Sequence, residues 1–131
     1  MIKAKNLKVG YEQKIIIEDL SIDIEKGQVV SILGPNGSGK STLLKALSRM
    51  VKPKSGEIYI ENQKLTDIKN KKISQKLCLL SQHNTVPGDI SVEDLVYFGR
   101  MPHKKWYETK LKEDEEIVNW AIENVGLTKY K

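Results

Sequence analysis

The chain has 131 residues and a formal net charge of +5, a length that suits about one domain. No apolar run reaches the roughly 18 residues that a membrane-spanning helix needs, and the N-terminus lacks a signal-peptide pattern, so we expect neither feature. The single cysteine, Cys78, excludes an internal disulfide and suits a reducing cytoplasm. Because it lies in the apolar run of residues 77–80, we predict that it is buried.

The positive charge comes mainly from lysine. Two clusters carry much of it: Lys69, Lys71, Lys72 and Lys76, then Lys104, Lys105, Lys110 and Lys112. Proteins that bind single-stranded nucleic acid combine such charge with aromatic side chains that stack on bases. Neither cluster alternates with aromatics, although Trp106 and Tyr107 follow the second. We interpret both clusters as solvated surface and expect no nucleic-acid partner.

The first part of the chain predicts, in order, strands at residues 3–8, 15–24 and 28–33, and then a helix from residue 42 to about 50. The second strand depends on Leu20, Ile22 and Ile24, which stand two apart. The third is a short, apolar, β-branched run, and we predict that it is buried.

The rest of the chain predicts, in order, a strand at residues 57–60, a weak helix at 67–75, a strand at 77–80 and helices at 91–99 and about 113–125. Ser91 is suited to cap the first of these last two helices, because Asp94 stands three residues on. The final helix has an apolar stripe in which we place Trp120 in the core, and Gly126 is expected to cap its C-terminus.

A glycine-rich loop separates the third strand from the first helix. Its residues are Gly34, Pro35, Asn36, Gly37, Ser38, Gly39, Lys40 and Ser41, which satisfy the pattern G-x-x-x-x-G-K-[ST]. A strand, a glycine loop and a helix in this order direct backbone N–H groups and a helix N-terminus at one anionic point. The loop therefore predicts a nucleoside triphosphate site.

The residue types of this loop match that chemistry. The glycines let the backbone approach the phosphates closely. Lys40 carries a charge on a flexible stem and can reach the β- and γ-phosphate oxygens. Ser41 offers the hard hydroxyl oxygen that Mg²⁺ prefers, and Thr42 offers a second hydroxyl. His83 and His103, 20 positions apart and without a third ligand nearby, are interpreted as surface or interface residues.

In its order of motifs, the whole chain resembles the N-terminal part of an ATP-binding cassette (ABC) ATPase, the nucleotide-binding subunit of a transporter. Gly10-Tyr11, the glycine loop, Ser55-Gly56-Glu57 and Gln82 stand in the family's order. The resemblance implies an α/β fold: a P-loop NTPase core with an N-terminal antiparallel β subdomain, at about residues 1–90. Residues from about 91 to 131 would begin the helical subdomain.

Three functional segments follow from the resemblance. Tyr11 is similar to the A-loop aromatic that stacks on adenine. Residues 34–42 are similar to the Walker A loop, which binds ATP and Mg²⁺, with Ser41 as a metal ligand. Gln82, 42 positions after Lys40, is similar to the Q-loop glutamine, whose side chain reaches Mg²⁺ and the attacking water. Lys40 and Gln82 are thus the candidate catalytic residues.

A narrower resemblance lies in residues 89–103, which include Gly99-Arg100, Pro102 and His103. This segment is similar to one in the ATPases of iron-siderophore, haem and cobalamin importers. The resemblance implies permease subunits and a second ATPase subunit as partners, and a substrate-binding protein indirectly. It also implies a peripheral position on the cytoplasmic face of the membrane.

Three later motifs of the family are not found: the LSGGQ-type signature, the Walker B strand and the switch histidine. The acidic residues 113–116 lack a preceding apolar strand, so we assign them to the first turn of a helix. We therefore expect a domain truncated before the signature and Walker B motifs, one that binds ATP without turning it over.

Two other functions stay open at this point. One is a nucleotide-dependent regulatory module of the cassette type that serves no transporter. The helical stretch from Ser91 to Val125 argues against it, because it resembles that of an importer. The other is a small P-loop kinase, which would need an arginine-bearing lid, whereas the chain has only Arg49 and Arg100.

Overall fold

Four antiparallel strands form the sheet of the first of two units, Met1–Leu79 and Leu80–Lys131. The computed structural model describes residues 1–82, 88–105 and 107–131. The strands are β1 (Ile2–Tyr11), β2 (Lys14–Ile24), β3 (Ser55–Ile60) and β4 (Gln63–Lys64), in the order β2-β1-β3-β4. The predicted N-terminal antiparallel sheet is therefore confirmed.

Helix α1 (Lys40–Leu47) packs on this sheet through one face. Leu43, Ala46 and Leu47 on that face are buried with Leu7 and Val9 of β1. Burial of each large apolar side chain contributes about 1.5–3 kcal/mol, so this contact holds the start of α1 at a fixed place on the sheet. A 3₁₀ turn (Leu65–Asp67) and the short helix α2 (Asn70–Ser74) complete the unit, close to the predicted helical stretch.

Two predicted strands do not form. Residues 28–33 and 77–80 have no strand structure, and Val29 and Leu33 are 97% and 90% exposed instead of buried. A strand needs backbone partners, and in the part of the chain that the structure describes the sheet pairs only β1 to β4 with one another. The prediction that Cys78 is buried is wrong for the same reason, since its side chain is exposed.

The second unit is helical. It contains α3 (Val92–Tyr97), a 3₁₀ segment (Phe98–His103), α4 (Lys112–Asn124) and a final 3₁₀ turn (Thr128–Tyr130). The predicted caps are confirmed: Ser91 Oγ accepts a hydrogen bond from the Asp94 N–H at 3.0 Å, and Gly126 follows α4 with a φ of 71°. Throughout the described ranges, each helix is too short or too polar to cross a bilayer.

Helix α4 buries a narrower face than its sequence predicts. Asp114, Val118 and Ile122, four residues apart, are its buried side chains. Trp120 and Val125 are 65% and 64% exposed, so the placement of Trp120 in the core is wrong. The short helix α3 packs on α4, and the 3₁₀ segment reaches it through the Arg100–Asp114 ion pair, so the cover extends over one row of α4 side chains.

The buried carboxylate of Asp114 joins the segments of the second unit. Arg100 Nε lies 2.9 Å from its Oδ1, and Lys104 Nζ lies 2.7 Å from its Oδ2. The Leu111 N–H also donates to Oδ2 at 3.2 Å. Hydrogen bonds from Lys104 and Arg100 hold the pKa of the Asp114 carboxyl well below its ordinary value of 3.8. This carboxylate therefore ties the 3₁₀ segment and the loop after it to the start of α4.

We predict that Asp114→Asn lowers the urea midpoint of unfolding at pH 7, because it removes the buried carboxylate charge that pairs with Arg100 and Lys104. The pKa of the folded state is depressed, so the stabilisation is complete above about pH 4 and is lost as the pH falls further. The wild-type midpoint should therefore decline below about pH 4 more steeply than that of the variant.

Circular dichroism during urea titration at several pH values measures both effects. Glu113→Gln is the matched control, since Glu113 is an exposed carboxylate in the same first helical turn. Equal shifts in the two variants would show that only the helix-dipole interaction of the carboxylate contributes.

Candidate phosphate site

The glycine loop meets α1 through a conformation that glycine alone adopts easily. Gly39, the residue before the helix, has a φ of 91°. A Cβ atom at this position would lie 2.9 Å from Ile16 Cγ2 of β2, closer than real contacts allow. Gly39 therefore lets the loop lie directly on β2. Gly37 also has a positive φ of 83°, and the Ser38 N–H closes a turn on the Pro35 carbonyl at 3.3 Å.

The ammonium group of Lys40 lies against the opposite end of the same loop. Its Nζ donates to the carbonyl oxygens of Gly34 at 2.9 Å and of Pro35 at 2.7 Å. These two bonds connect the first residues of the loop to the first residue of α1. Because an ammonium has three N–H donors, one remains for an oxygen from outside the loop.

The N-terminus of α1 has no side-chain cap. The first N–H that bonds within the helix is that of Leu43, which donates to the Gly39 carbonyl at 2.8 Å. The N–H groups of Lys40, Ser41 and Thr42 precede it and have no partner of this kind. Together with the helix dipole, they favour an anion in front of the helix, beside the Lys40 ammonium.

The two hydroxyls at the start of α1 differ in their surroundings. Ser41 is exposed, so its oxygen is open to a metal ion at the mouth of the loop. Thr42 is only 9% exposed and lies on the buried face of the helix. Thr42 is therefore the less accessible of the two residues, and its backbone N–H is one of the three that precede the first intrahelical bond. Of the two, Ser41 is the hydroxyl that suits Mg²⁺, an ion that keeps several waters and needs few protein oxygens.

Tyr11 lies at the edge of the same region. It is the last residue of β1, pairs with Lys14 of β2 and is 45% exposed. Ile16, which contacts Gly39, stands two positions beyond Lys14, or roughly 7 Å along the strand. The β1–β2 hairpin thus brings an exposed aromatic side chain near the phosphate loop.

Two of the other predicted residues, Gln82 and His103, belong to the second unit. Gln82 is exposed there, and its assignment stays a prediction. His83 lies outside the described residues, and His103 is exposed at the end of the 3₁₀ segment. No local pattern indicates Ile16 beneath Gly39, because this contact joins residues that are far apart in the chain.

A separate cleft of about 510 Å³ lies beyond the C-terminal end of α1. Arg49, Lys52 and Glu57 line part of it. Arg49 donates to the Ile68 carbonyl at 2.6 Å, so its charge is already engaged within the first unit. This cleft is not part of the phosphate site, which lies at the opposite end of the helix.

Comparison with known proteins gives consistent results. A family model for ABC transporters matches residues 17–131. The chain is 35% identical over 129 residues to the iron(3+)-hydroxamate import ATP-binding protein FhuC of Bacillus subtilis, covering 98% of this chain and 48% of that protein. It is 38% identical over 127 residues to the ferric enterobactin transport ATP-binding protein FepC of Escherichia coli, covering 97% and 47%.

Solved structures include a dimeric bacterial ABC transporter cassette, which superposes with a TM-score of 0.77 at 28% identity, over 96% of this chain and 56% of that one. The predicted fold class is thereby confirmed. The chain spans about half the length of the curated relatives it matches. With the family model covering most of its residues, this chain belongs to the ABC transporter family.

Proposed function

We propose that this chain is the ATP-binding part of the ATPase subunit of an importer. The observation that carries the proposal is the loop itself: an ammonium and three N–H groups at a helix N-terminus converge at one end of α1. This arrangement suits the phosphates of a nucleoside triphosphate. The kinase alternative is removed by membership of the ABC transporter family.

Each residue of the site has a separate role in this proposal. Tyr11 stacks on adenine, the loop N–H groups bind phosphate oxygens, and Lys40 neutralises charge on the β- and γ-phosphates. Ser41 supplies an oxygen to Mg²⁺, the ion that would supply further charge stabilisation when bound. Gln82 would reach the same ion and orient the attacking water. Catalysis of this type is positioning and charge stabilisation, without covalent chemistry by the protein.

The transported ligand and the partners are part of the proposal. Relatives with 35% and 38% identity are named as importing iron(3+)-hydroxamate and transporting ferric enterobactin, which supports an iron-siderophore ligand, with haem or cobalamin as the related classes. The dimeric cassette supports a second ATPase subunit as partner. Permease subunits would bind the pair at the cytoplasmic face of the membrane and connect it to a substrate-binding protein.

A cassette protein that serves no transporter would have the same phosphate site. Fractionation of cells that express the full-length protein distinguishes the two functions. A transporter subunit copurifies with the membrane fraction and its permease, whereas a regulatory module does not.

We predict that Mg-ATP binds this chain saturably and that Lys40→Ala weakens binding by about 30-fold or more, because a charge-assisted contact to phosphate is lost. Isothermal titration calorimetry measures the affinity. Lys45→Ala is the matched control, since Lys45 is an exposed lysine in the same helix. Equal losses in the two variants would contradict a site at the glycine loop.

Residues 1–131 alone should bind ATP without turnover, because the resemblance supplies no carboxylate to orient water within them. Phosphate release, followed in parallel with the titration, tests this. Lysine-dependent release by the chain alone would show that a carboxylate of residues 1–131 activates water.

We predict that Tyr11→Ala weakens Mg-ATP binding by about tenfold, in line with the stacking energy of one base on one aromatic ring. Tyr11→Phe keeps the ring and should bind nearly as wild type. Mg-tripolyphosphate, which has no base, should bind all three proteins equally. A similar loss for both ligands in Tyr11→Ala would mean that Tyr11 acts on the loop and not on the base.

A further inference from the structure

The hairpin turn that follows Tyr11 contains a residue in an unfavourable conformation. The loop between β1 and β2 consists of Glu12 and Gln13, and Glu12 has a φ of 46°. A two-residue hairpin turn with positive φ at its first position favours glycine there, because a Cβ atom disfavours this region. A further contact at Glu12 can therefore stabilise the turn in this form.

Lys54, distant in sequence, contacts this turn. Its backbone N–H donates to the Lys8 carbonyl at 2.7 Å, which fixes Lys54 beside β1. Its ammonium donates to the carbonyl oxygen of Glu12. Lys54 thus makes two contacts: its backbone N–H bonds to β1, and its side chain bonds to Glu12 in the turn.

We propose that Lys54 is a positioning residue for the aromatic side chain that receives the nucleotide base. This inference rests on the proposed function. By holding the Glu12 carbonyl, Lys54 keeps the turn closed directly after Tyr11, so that Tyr11 stays paired with Lys14 at the end of β1. The ammonium makes its contact with the turn and needs no contact with the nucleotide.

The proposal separates base binding from phosphate binding. When the Lys54 contact is lost, the turn relaxes from the positive φ of Glu12 and Tyr11 populates other positions. Stacking on the base then weakens, whereas the contacts of the glycine loop with phosphates are unchanged. A lysine that acted only through its charge would attract ATP and tripolyphosphate alike.

The first test is calorimetric titration of Mg-ATP and Mg-tripolyphosphate into the wild type and Lys54→Met. The variant should bind Mg-ATP about fivefold more weakly, a fraction of the stacking contribution, and Mg-tripolyphosphate within about twofold of wild type. Lys52→Met, an exposed lysine two residues away in the same connection, is the control and should bind both ligands as wild type. In a Tyr11→Ala background, Lys54→Met should have no further effect.

A second pair of variants tests the role of the turn. Glu12→Gly removes the Cβ atom and lets the turn keep its positive φ without Lys54, so it should restore Mg-ATP affinity to Lys54→Met. Glu12→Gln removes the same negative charge but keeps the Cβ atom, and it should not restore affinity.

The outcomes are distinct. Equal weakening for both ligands, equal effects of Lys52→Met and Lys54→Met, or restoration by Glu12→Gln would overturn the positioning role and leave the proposed function intact. Absence of Mg-ATP binding by the wild type would overturn the proposed function and this inference with it. Weakening confined to Mg-ATP and restored by Glu12→Gly alone would support the inference.

Discussion

The close contact between Gly39 and β2 is the constraint on which the phosphate site depends. Because Gly39 has no side chain, the glycine loop lies directly on β2. Strand β2 pairs with β1, whose last residue is Tyr11. The buried face of α1 packs against β1 and so holds the helix that follows Gly39 in place. The position of the loop is thus set by the packing of the sheet and helix, and its shape is set by Lys40 bonding to the Gly34 and Pro35 carbonyls.

Features that depend on neighbouring residues could be predicted from the sequence. The glycine loop, the start of α1, the Ser91 cap and the Gly126 cap each require particular residue types at short spacing, and the structure has all four. The strands β1 and β2 could be predicted for the same reason, since their alternation is local, whereas the antiparallel arrangement was implied by the family resemblance. Local chemistry therefore predicted the glycine loop and the helix that follows it.

Features that depend on distant partners could not be predicted. Residues 28–33 have the composition of a buried strand, yet in the described part of the chain no strand pairs with them and Val29 is exposed. Trp120 lies on a helix whose neighbours cover only the row of Val118 and Ile122. The contact of Lys54 with the Glu12 carbonyl likewise joins residues 42 positions apart, so no motif indicates it.

The most direct test of the phosphate site is a titration of a non-hydrolysable Mg-ATP analogue into the isotope-labelled chain, followed by nuclear magnetic resonance. We expect the backbone N–H signals of residues 37–42 and the ring signals of Tyr11 to shift together, with one dissociation constant. Shifts confined to the cleft lined by Arg49 and Lys52, with the signals of residues 37–42 unchanged, would contradict a nucleotide site at the glycine loop.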